Sequence, residues 1–594
     1  MKLYYIIIPA LSAMLCINHT AAAQQDKGKV GSLGVTPTVE VITDYKGTLL
    51  ETDKIDLEYN RKDSAARVKP EFTYPLTARI IPSQFAIHIT PVNFSKKYDF
   101  DAPSPVGYVR AAYSYPVVPE ADIYLHHAFR EHTTLSLYAN HRSYWGRLPL
   151  YKQAPATAQP IQNDILADHA STRAGIGLQH LWRKTAFDLN AEYTRQSLLF
   201  YGQDTLLLKE NIANGYTADV NDDSYMRRTQ AQNFNILKAR TRLYSLPSTD
   251  KLSYNAQFSY GYIDESAHLP DSATVRQHLV AIDGTAQYHI NPRHAASLQI
   301  RLATYNAAAR HTLTTFTPAY TFRSKTIDLR AGVNAEIVAG GETAYNLYPN
   351  LLFQYTAFGG ALAPYLEVTG GSTLHDYAAI TSENPYILPG LDVRHSRTRF
   401  DAQAGVKGRF SSLLAYCLKA SYTIVDNMYF FVNSDTPLAS DSVAAGRGWL
   451  RSNFDVVYDD IAQTAVGLDL TAAFRRFEAL FHAQYTAYNM NGETEAWHKP
   501  AFETDVQLRY KIAPFTVTLG GSYRSRVPVK LTAAYASSTS IRDIVNLSLT
   551  AEYRLNNNLS FFIQGNNLLN RHDQFYYLYY SPGITIGGGV AYSF

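Results

Sequence analysis

Apolar and polar residues alternate along most of this chain. From Val106 onward the alternation returns in stretches of roughly 10 to 15 residues, the length of a tilted strand crossing a bilayer. Phe187, Leu189, Ala191 and Tyr193 oppose Asp188, Asn190, Glu192 and Thr194. Leu298, Ile300 and Leu302 oppose Gln299 and Arg301. Ile327, Leu329, Ala331, Val333 and Ala335 oppose Asp328, Arg330, Asn334 and Glu336. Phe502, Val506, Leu508, Tyr510 and Ile512 oppose Glu503, Asp505, Gln507, Arg509 and Lys511. Val545, Leu547, Leu549, Ala551, Tyr553 and Leu555 oppose Asn546, Ser548, Thr550, Glu552 and Arg554. Side chains of a strand point to opposite faces in turn, so each stretch predicts a strand with one apolar and one polar face.

The last stretch has the same form. Ile584, Ile586, Val590, Tyr592 and Phe594 share one face, and Thr585, Gly587, Gly589, Ala591 and Ser593 the other. Such a strand is either an edge of a soluble sheet or the closing strand of a membrane barrel, with its apolar face toward lipid. The connections favour the barrel. Tight turns are predicted at 291–294 (NPRH), 324–325 (SK), 359–360 (GG), 411–412 (SS), 475–476 (RR), 513–514 (AP) and 556–558 (NNN). Longer connections fall at 145–169, 202–226, 371–396, 433–460, 531–541 and 571–583. Short turns at one end and long loops at the other are how outer-membrane barrels are built. Taking 433–460 as one loop, with "LRSNFDVVYDD" as an extra hairpin the other reading, the count is about 22 strands between Val106 and Phe594. An even count leaves both ends of the barrel on the short-turn, periplasmic side. The expected fold class is all-β: a transmembrane antiparallel β-barrel over 106–594.

Composition agrees. The 594 residues hold 45 Tyr and 27 Phe against 5 Met, and aromatics reach 13% beside 18% charged residues. Aromatic girdles account for that better than a helical enzyme does. A mean hydropathy of −0.21 excludes a bundle of transmembrane helices but not a barrel, whose strands are only half apolar. The net charge of +3 gives no electrostatic case for nucleic acid as a partner.

Residues 1–23 read as a signal peptide: Lys2, an apolar core, then Ala21-Ala22-Ala23 before Gln24. Lipidation through Cys16 does not fit, because bulky Leu15 stands where a small residue is needed. Cys417 is then alone in the mature chain and can form no intrachain disulfide. Residues 24–105 lack helical periodicity and are Pro-rich toward their end. They read as an extended or small-sheet N-terminal segment, a candidate occupant of the barrel lumen.

The C-terminal residues "GNNLLNRHDQFYYLYYSPGITIGGGVAYSF" carry a resemblance. Asn567-Leu568-Leu569-Asn570, a Tyr-rich loop, Pro582-Gly583 and a Gly-bearing strand ending Tyr592-Ser593-Phe594 resemble the end of TonB-dependent receptors. "AWHKP" at 496–500 and the Tyr content look like such barrels from Bacteroidetes-like bacteria. The resemblance covers the barrel and implies the outer membrane, its lipid and the barrel-insertion machinery as surroundings, with Tyr592 and Phe594 in the insertion signal. Receptors of this family also carry a plug domain and a TonB-engaging box. Residues 24–105 are too few for a plug, so energy-coupled import through TonB does not carry over. A lumen of this width must still be closed. Three candidates are residues 24–105, the long loops 371–396 and 433–460 folded inward, and a separate protein. The expected lumen carries mixed charge from Asp328, Arg330, Glu336, Glu503, Asp505, Arg509, Lys511, Arg524, Arg526, Glu552 and Arg554. Mixed rings suit hydration or a bound protein segment rather than one-sign ion selection.

Other chemistry is sparse. His126 and His127 are strand neighbours pointing to opposite faces, so they cannot share a metal ion. In "DVNDD" at 219–223, Ser224 and Gln230 stand where a calcium loop needs Gly and a bidentate acid. "GIG" at 175–177 lacks the rest of a dinucleotide fingerprint. No cofactor, metal or catalytic set is expected. Tyr576, Tyr577, Tyr579 and Tyr580 read as an outer interface belt, or else as a ligand-stacking surface. The expected function is a transport channel or receptor. The alternative is a non-transporting scaffold subunit of a larger outer-membrane assembly.

Overall fold

A computed structural model of the chain describes residues 106–594, apart from 130–131, 152–159, most of 203–230, 247–250, 268–274, 307–309, 341–342, 390, 392–393, 412, 435–452 and 532–537. The expected signal peptide and the segment 24–105 lie outside the described residues. So does most of "DVNDD".

Twenty-two strands form one antiparallel sheet. Sequence neighbours are sheet neighbours throughout, and the sheet closes where the first strand, Gly107–Tyr115, pairs with the last, Thr585–Ser593. The register runs from Tyr108 opposite Ser593 to Tyr115 opposite Ile586. Gly107 N donates to the Phe594 carbonyl at 2.9 Å and Phe594 N to the Gly107 carbonyl at 3.0 Å. No helix among the described residues is long and apolar enough to cross a membrane. The crossing is made by strands, and this is a transmembrane β-barrel.

The alternation read from the sequence is the alternation of faces. Ile300 is 42% exposed, and Leu298, Val333, Leu549, Tyr553, Val590 and Tyr592 stand exposed with it. In water such a band would forfeit about 25 cal/mol for each Å² of apolar surface left uncovered, and in lipid it loses nothing. The seam needs small residues. A Cβ on Gly589 would lie 2.2 Å from the Ala111 carbonyl, and one on Gly587 2.1 Å from Ser114 Oγ.

Short connections cluster at one end, and side chains cap three of them. Asn291 Oδ1 accepts from the amides of Arg293 and His294, Ser324 Oγ from Ile327, and Asn556 Oδ1 from Asn558 and Leu559. Long connections lie at the other end. Two departures from the expected pattern matter. Residues 491–501 form a further long connection, which the alternation gave no reason to expect. The loop expected at 433–460 ends early, because the strand Phe454–Ala473 begins inside "LRSNFDVVYDD" and pairs with Met428–Asn433 beyond a bulge. That strand and its partner Leu414–Asn433 are 20 residues each, whereas the two seam strands are 9. The wall is therefore tall on one side and low at the seam.

The Asn-Leu-Leu-Asn piece acquires a physical role here. Asn567 and Asn570 both adopt positive φ, at 48° and 50°. Asparagine tolerates this conformation best among residues with a side chain. The Asn567 amide donates to the carbonyls of Arg571 and Pro582 at 2.6 and 2.7 Å, and Asn570 Oδ1 accepts from Ile584 N at 2.9 Å. Together they fold the last long loop back onto the start of the closing strand.

Two outcomes are expected. Ile300→Arg, on the outward face, should cost about 2–4 kcal/mol in reversible unfolding from lipid, and Gln299→Arg, on the opposite face, much less. Replacing Phe594 with Ala should lower the fraction that reaches the heat-modifiable, membrane-inserted form on gels. Normal insertion of that variant would remove the assembly role from the terminal aromatic residue.

Candidate functional site

The described parts of several long loops fold inward and meet in one apolar cluster. Its members come from strands and loops at several places on the rim: Val118, Tyr144, Ile165, Phe200, Tyr201, Phe234, Ile263, Tyr377, Ile380, Tyr386, Phe431, Phe454, Tyr576 and Tyr579. A core that collects residues from separate stretches of wall reaches across the mouth.

The centrepiece is the helix Tyr377–Glu383, in the connection after the strand Ala363–Thr373. Asp376 caps it by accepting from Ala379 N at 3.1 Å. Tyr377, Ile380 and Thr381 face inward and are buried. Buried Asn384 turns the chain, its Oδ1 accepting from Tyr386 N at 3.0 Å. Tyr386 then stacks on Tyr579 of the last loop with ring centres 3.6 Å apart. Phe200 and Tyr201, from the loop after the strand Thr185–Leu199, pack edge-on against Tyr386. Main-chain bonds fasten the next residues to the tall wall, Leu388 N to the Phe454 carbonyl at 2.8 Å and Phe454 N to that of Tyr386 at 3.0 Å.

Polar contacts fix this apolar lid at several points. Tyr377 N donates to Gln277 Oε1 at 2.7 Å, and its hydroxyl donates to the Glu265 carboxylate. Both partners belong to wall strands. At the other end of the helix, Glu383 receives Lys499 Nζ at 2.7 Å and the Tyr429 hydroxyl, while Tyr576 donates to the Glu383 carbonyl. Lys499 also lies over the Tyr429 ring at 5.4 Å. Three separate loops and the tall wall thus converge on one residue, Glu383.

The 491–501 loop that carries Lys499 is itself anchored. Trp497 is buried with Val425, Phe430, Val432 and Ile461, and its indole N–H donates to Glu493 at 2.8 Å. Lys530 pairs with the same Glu493 at 2.9 Å. His498 Nδ1 lies 2.8 Å from the Phe431 carbonyl, which can only accept, so Nδ1 carries the proton. His498 Nε2 is buried with no partner.

Burial sets the ionisation of this lid. It pushes the rings of His375 and His498 down to about 4. It raises the phenols of Tyr576 and Tyr579 well above their ordinary value. For Glu383 burial also pushes upward, but Lys499 and the hydrogen bonds outweigh it and hold the carboxyl below its usual range.

The charged residues singled out from the sequence are distributed along the wall. Arg330 pairs with Glu367 at 2.7 Å, and Asp328 with Arg323 at 3.3 Å. Glu336 accepts from Ser372 N at 2.9 Å. Arg509 and Lys511 share Glu478, and Glu503 lies 3.9 Å from Arg524. Asp505 sits opposite His482 in the register. Glu552 is buried, and Arg554 N closes the turn at Pro514. Most thus pair with residues on neighbouring strands and do not converge. His126 and His127 face Ser136 and Leu135 on the next strand, and no group of three or more His, Cys, Asp or Glu among the described residues could hold a metal ion.

One expectation is overturned. Tyr576 and Tyr579 are buried at the centre of the lid and form no interface belt. The loop folds inward because the closed mouth offers these rings an apolar partner on every side. The residues that make the lid, Glu383, Tyr386, Trp497, His498 and Lys499, were not legible as a set. They sit in loops without periodicity, and the sequence marks 371–396 as a candidate to fold inward without showing which residues it meets.

No protein-family model matches the sequence, and no curated protein matches it by sequence. Solved structures do match. The siderophore receptor PirA from Acinetobacter baumannii superposes with a TM-score of 0.59 at 10% identity, over 83% of this chain and 81% of that one. The ferric-catecholate import receptor Fiu from E. coli K12 gives 0.58 at 10% identity, over 83% and 82%. The FrpB iron transporter from Neisseria meningitidis gives 0.57 at 10% identity, over 82% and 81%. The chain has the barrel fold of TonB-dependent receptors. At this identity the likeness is one of architecture, so the lid has to be read on its own residues.

Removing the Tyr386 ring should cost about 3–5 kcal/mol, as truncation of a buried aromatic residue does. The loss should fall on the lid alone. In Tyr386→Ala, limited proteolysis within 376–391 should accelerate while the barrel keeps its resistance to detergent unfolding.

Proposed function

We propose that this chain is an outer-membrane receptor or transport barrel of the TonB-dependent type, whose extracellular mouth is closed at rest by its own loops. The observation that carries this is the apolar lid centred on Tyr377–Glu383 and Tyr386, spanning a 22-stranded barrel. A barrel of that size left unobstructed is a hole wide enough for a small domain. A lid built from loops, fastened by a few polar contacts to the wall, is the kind of closure that a ligand can displace. The short-turn end faces the periplasm, and both barrel termini lie there. Tyr592 and Phe594 then present the end of the closing strand to the insertion machinery.

The proposal extends to the lumen. Asp328, Arg330, Glu336, Glu503, Asp505, Arg509, Lys511, Glu552 and Arg554 line it, and residues 24–105 occupy it. TonB is a partner only if that segment does the work of a plug. The barrel's own role is passage and recognition, not catalysis.

A second reading has one observation in its favour. The lid is as buried as a protein core, with Tyr386, Ile387, Phe454 and Tyr579 fully or almost fully covered. A permanently sealed barrel would serve as a scaffold for another surface protein.

Planar-bilayer recordings separate the two. The full chain should be silent. Replacing 376–389 by a short Gly-Ser linker, alone and together with deletion of 24–105, should give large, steady channels in at least the combined variant. A freely conducting full chain would overturn the closed mouth. A combined variant that stays silent, while the intact chain co-purifies with a surface protein, would leave the scaffold.

A further inference from the structure

The lid concentrates titratable groups where an apolar closure has no need of them. Around Glu383 stand Lys499, Tyr429, His375, Tyr488 and the buried Tyr576. His375 donates to or accepts from Ser396 Oγ at 2.8 Å, packs edge-on against Tyr429, and is faced by Glu383, Lys499 and His395. His395 in turn faces His311 and Arg397. His498 packs edge-on against Phe454 and near Tyr576, with Lys499 beside it. On the far wall, Glu265 accepts from Tyr377 and from Gln232.

Two features of His498 go beyond packing. Its backbone is left-handed, with φ of 55°, a conformation uncommon outside glycine, though histidine adopts it more readily than most residues. Its Nε2 is buried without a partner. In the closed lid that nitrogen has a lone pair and nothing to receive a proton's hydrogen bond. Protonating it would place a bare N–H, and a positive charge, beside Lys499 in an apolar cluster.

We propose that the lid is an acid-released gate, in which protons taken up by Glu383, His375 and His498 free the helix Tyr377–Glu383 and open the extracellular mouth. The proposal rests on the closed-mouth reading above and adds what unlocks it. The two imidazoles and Glu383 act in one direction, while Glu265, whose buried carboxyl holds its proton more tightly in the closed lid than in water, acts against them. Each imidazole binds its proton more weakly in the closed lid than in water, near 4 against an ordinary value of about 6.5. The stability that the neutral rings lend the lid is complete above about pH 6.5 and is lost as the pH falls toward 4. The Glu383 carboxyl is held below its ordinary range, so its contribution is present above about pH 4.3 and is lost in more acidic solution. Protonated Glu383 no longer attracts Lys499, which is left as a half-buried cation without its partner.

The test reads the lid itself, so a filled lumen does not hide the result. Thr381, on the buried face of this helix, is 3% exposed. A full-length Thr381→Cys chain in a Cys417→Ser background, inserted in lipid, reports opening by its rate of reaction with dithiodipyridine, normalised to free cysteine at each pH. That rate should rise at least about tenfold from pH 7.5 to pH 4.5, a factor set by a shift of one pKa unit, and should fall again on return. Adding His375→Asn and His498→Gln, which keep hydrogen-bonding capacity but cannot charge, should hold the rate low at pH 4.5. Adding Glu383→Gln instead should raise it at pH 7.5. Equal normalised rates at both pH values, or an unchanged acid response without the two histidines, would overturn the gate. The closed-mouth reading would survive either result, since it depends on conductance after the lid is removed.

Discussion

Backbone hydrogen bonding inside lipid is the constraint on which the whole structure depends. A sheet edge in hydrocarbon leaves amide and carbonyl groups with no water to bind, so the sheet must close. Here closure falls to two short strands, Gly107–Tyr115 and Thr585–Ser593. The small residues of the last strand let the two backbones approach, and the terminal Phe594 exchanges main-chain bonds with Gly107. Everything else follows the closed wall: an outward apolar band, an inward polar face, and turns and loops at opposite ends.

Closing the wall creates a second problem, an open lumen. The loops answer it by building a small soluble-type core across the mouth. The rings of Tyr386 and Tyr579 stack at its centre, and Phe454, Phe431 and Tyr576 surround them. The hydrophobic effect operates here in its aqueous form, because the loops stand in water before they meet. In the barrel wall below, the same apolar residues face outward and are stabilised by lipid. One chain thus holds two cores of opposite sense, joined by strands that rise beyond the bilayer on the tall side.

Polar groups divide in the same way. Along the wall, charges such as Arg323 with Asp328 and Arg509 with Glu478 pair across adjacent strands, where register brings them close, and Arg330 reaches Glu367 one strand further on. Exposed pairs of this kind contribute little individually. In the lid, Glu383 and Lys499 meet from loops more than a hundred residues apart, in surroundings where an unpaired charge is costly. The wall pairs are set by strand register, while the lid pair joins loops that are distant in the chain.

The sequence by itself determined the barrel. A period of two is a local property, so Leu298 to Leu302 or Val545 to Leu555 reveal their faces without any knowledge of their neighbours. Turn chemistry at Asn291, Ser324 and Asn556 is equally local, and strand number and parity follow by counting. The aromatic C-terminal strand marked the place of closure. Only the tertiary structure decided the lid. Loop residues carry no periodic signal, and whether Tyr576 faces lipid, ligand or core depends on what other loops bring to it. The pairing of Glu383 with Lys499, and the burial of His498 between Phe431 and Phe454, arise from distant segments that meet only because the closed wall holds their ends around one mouth.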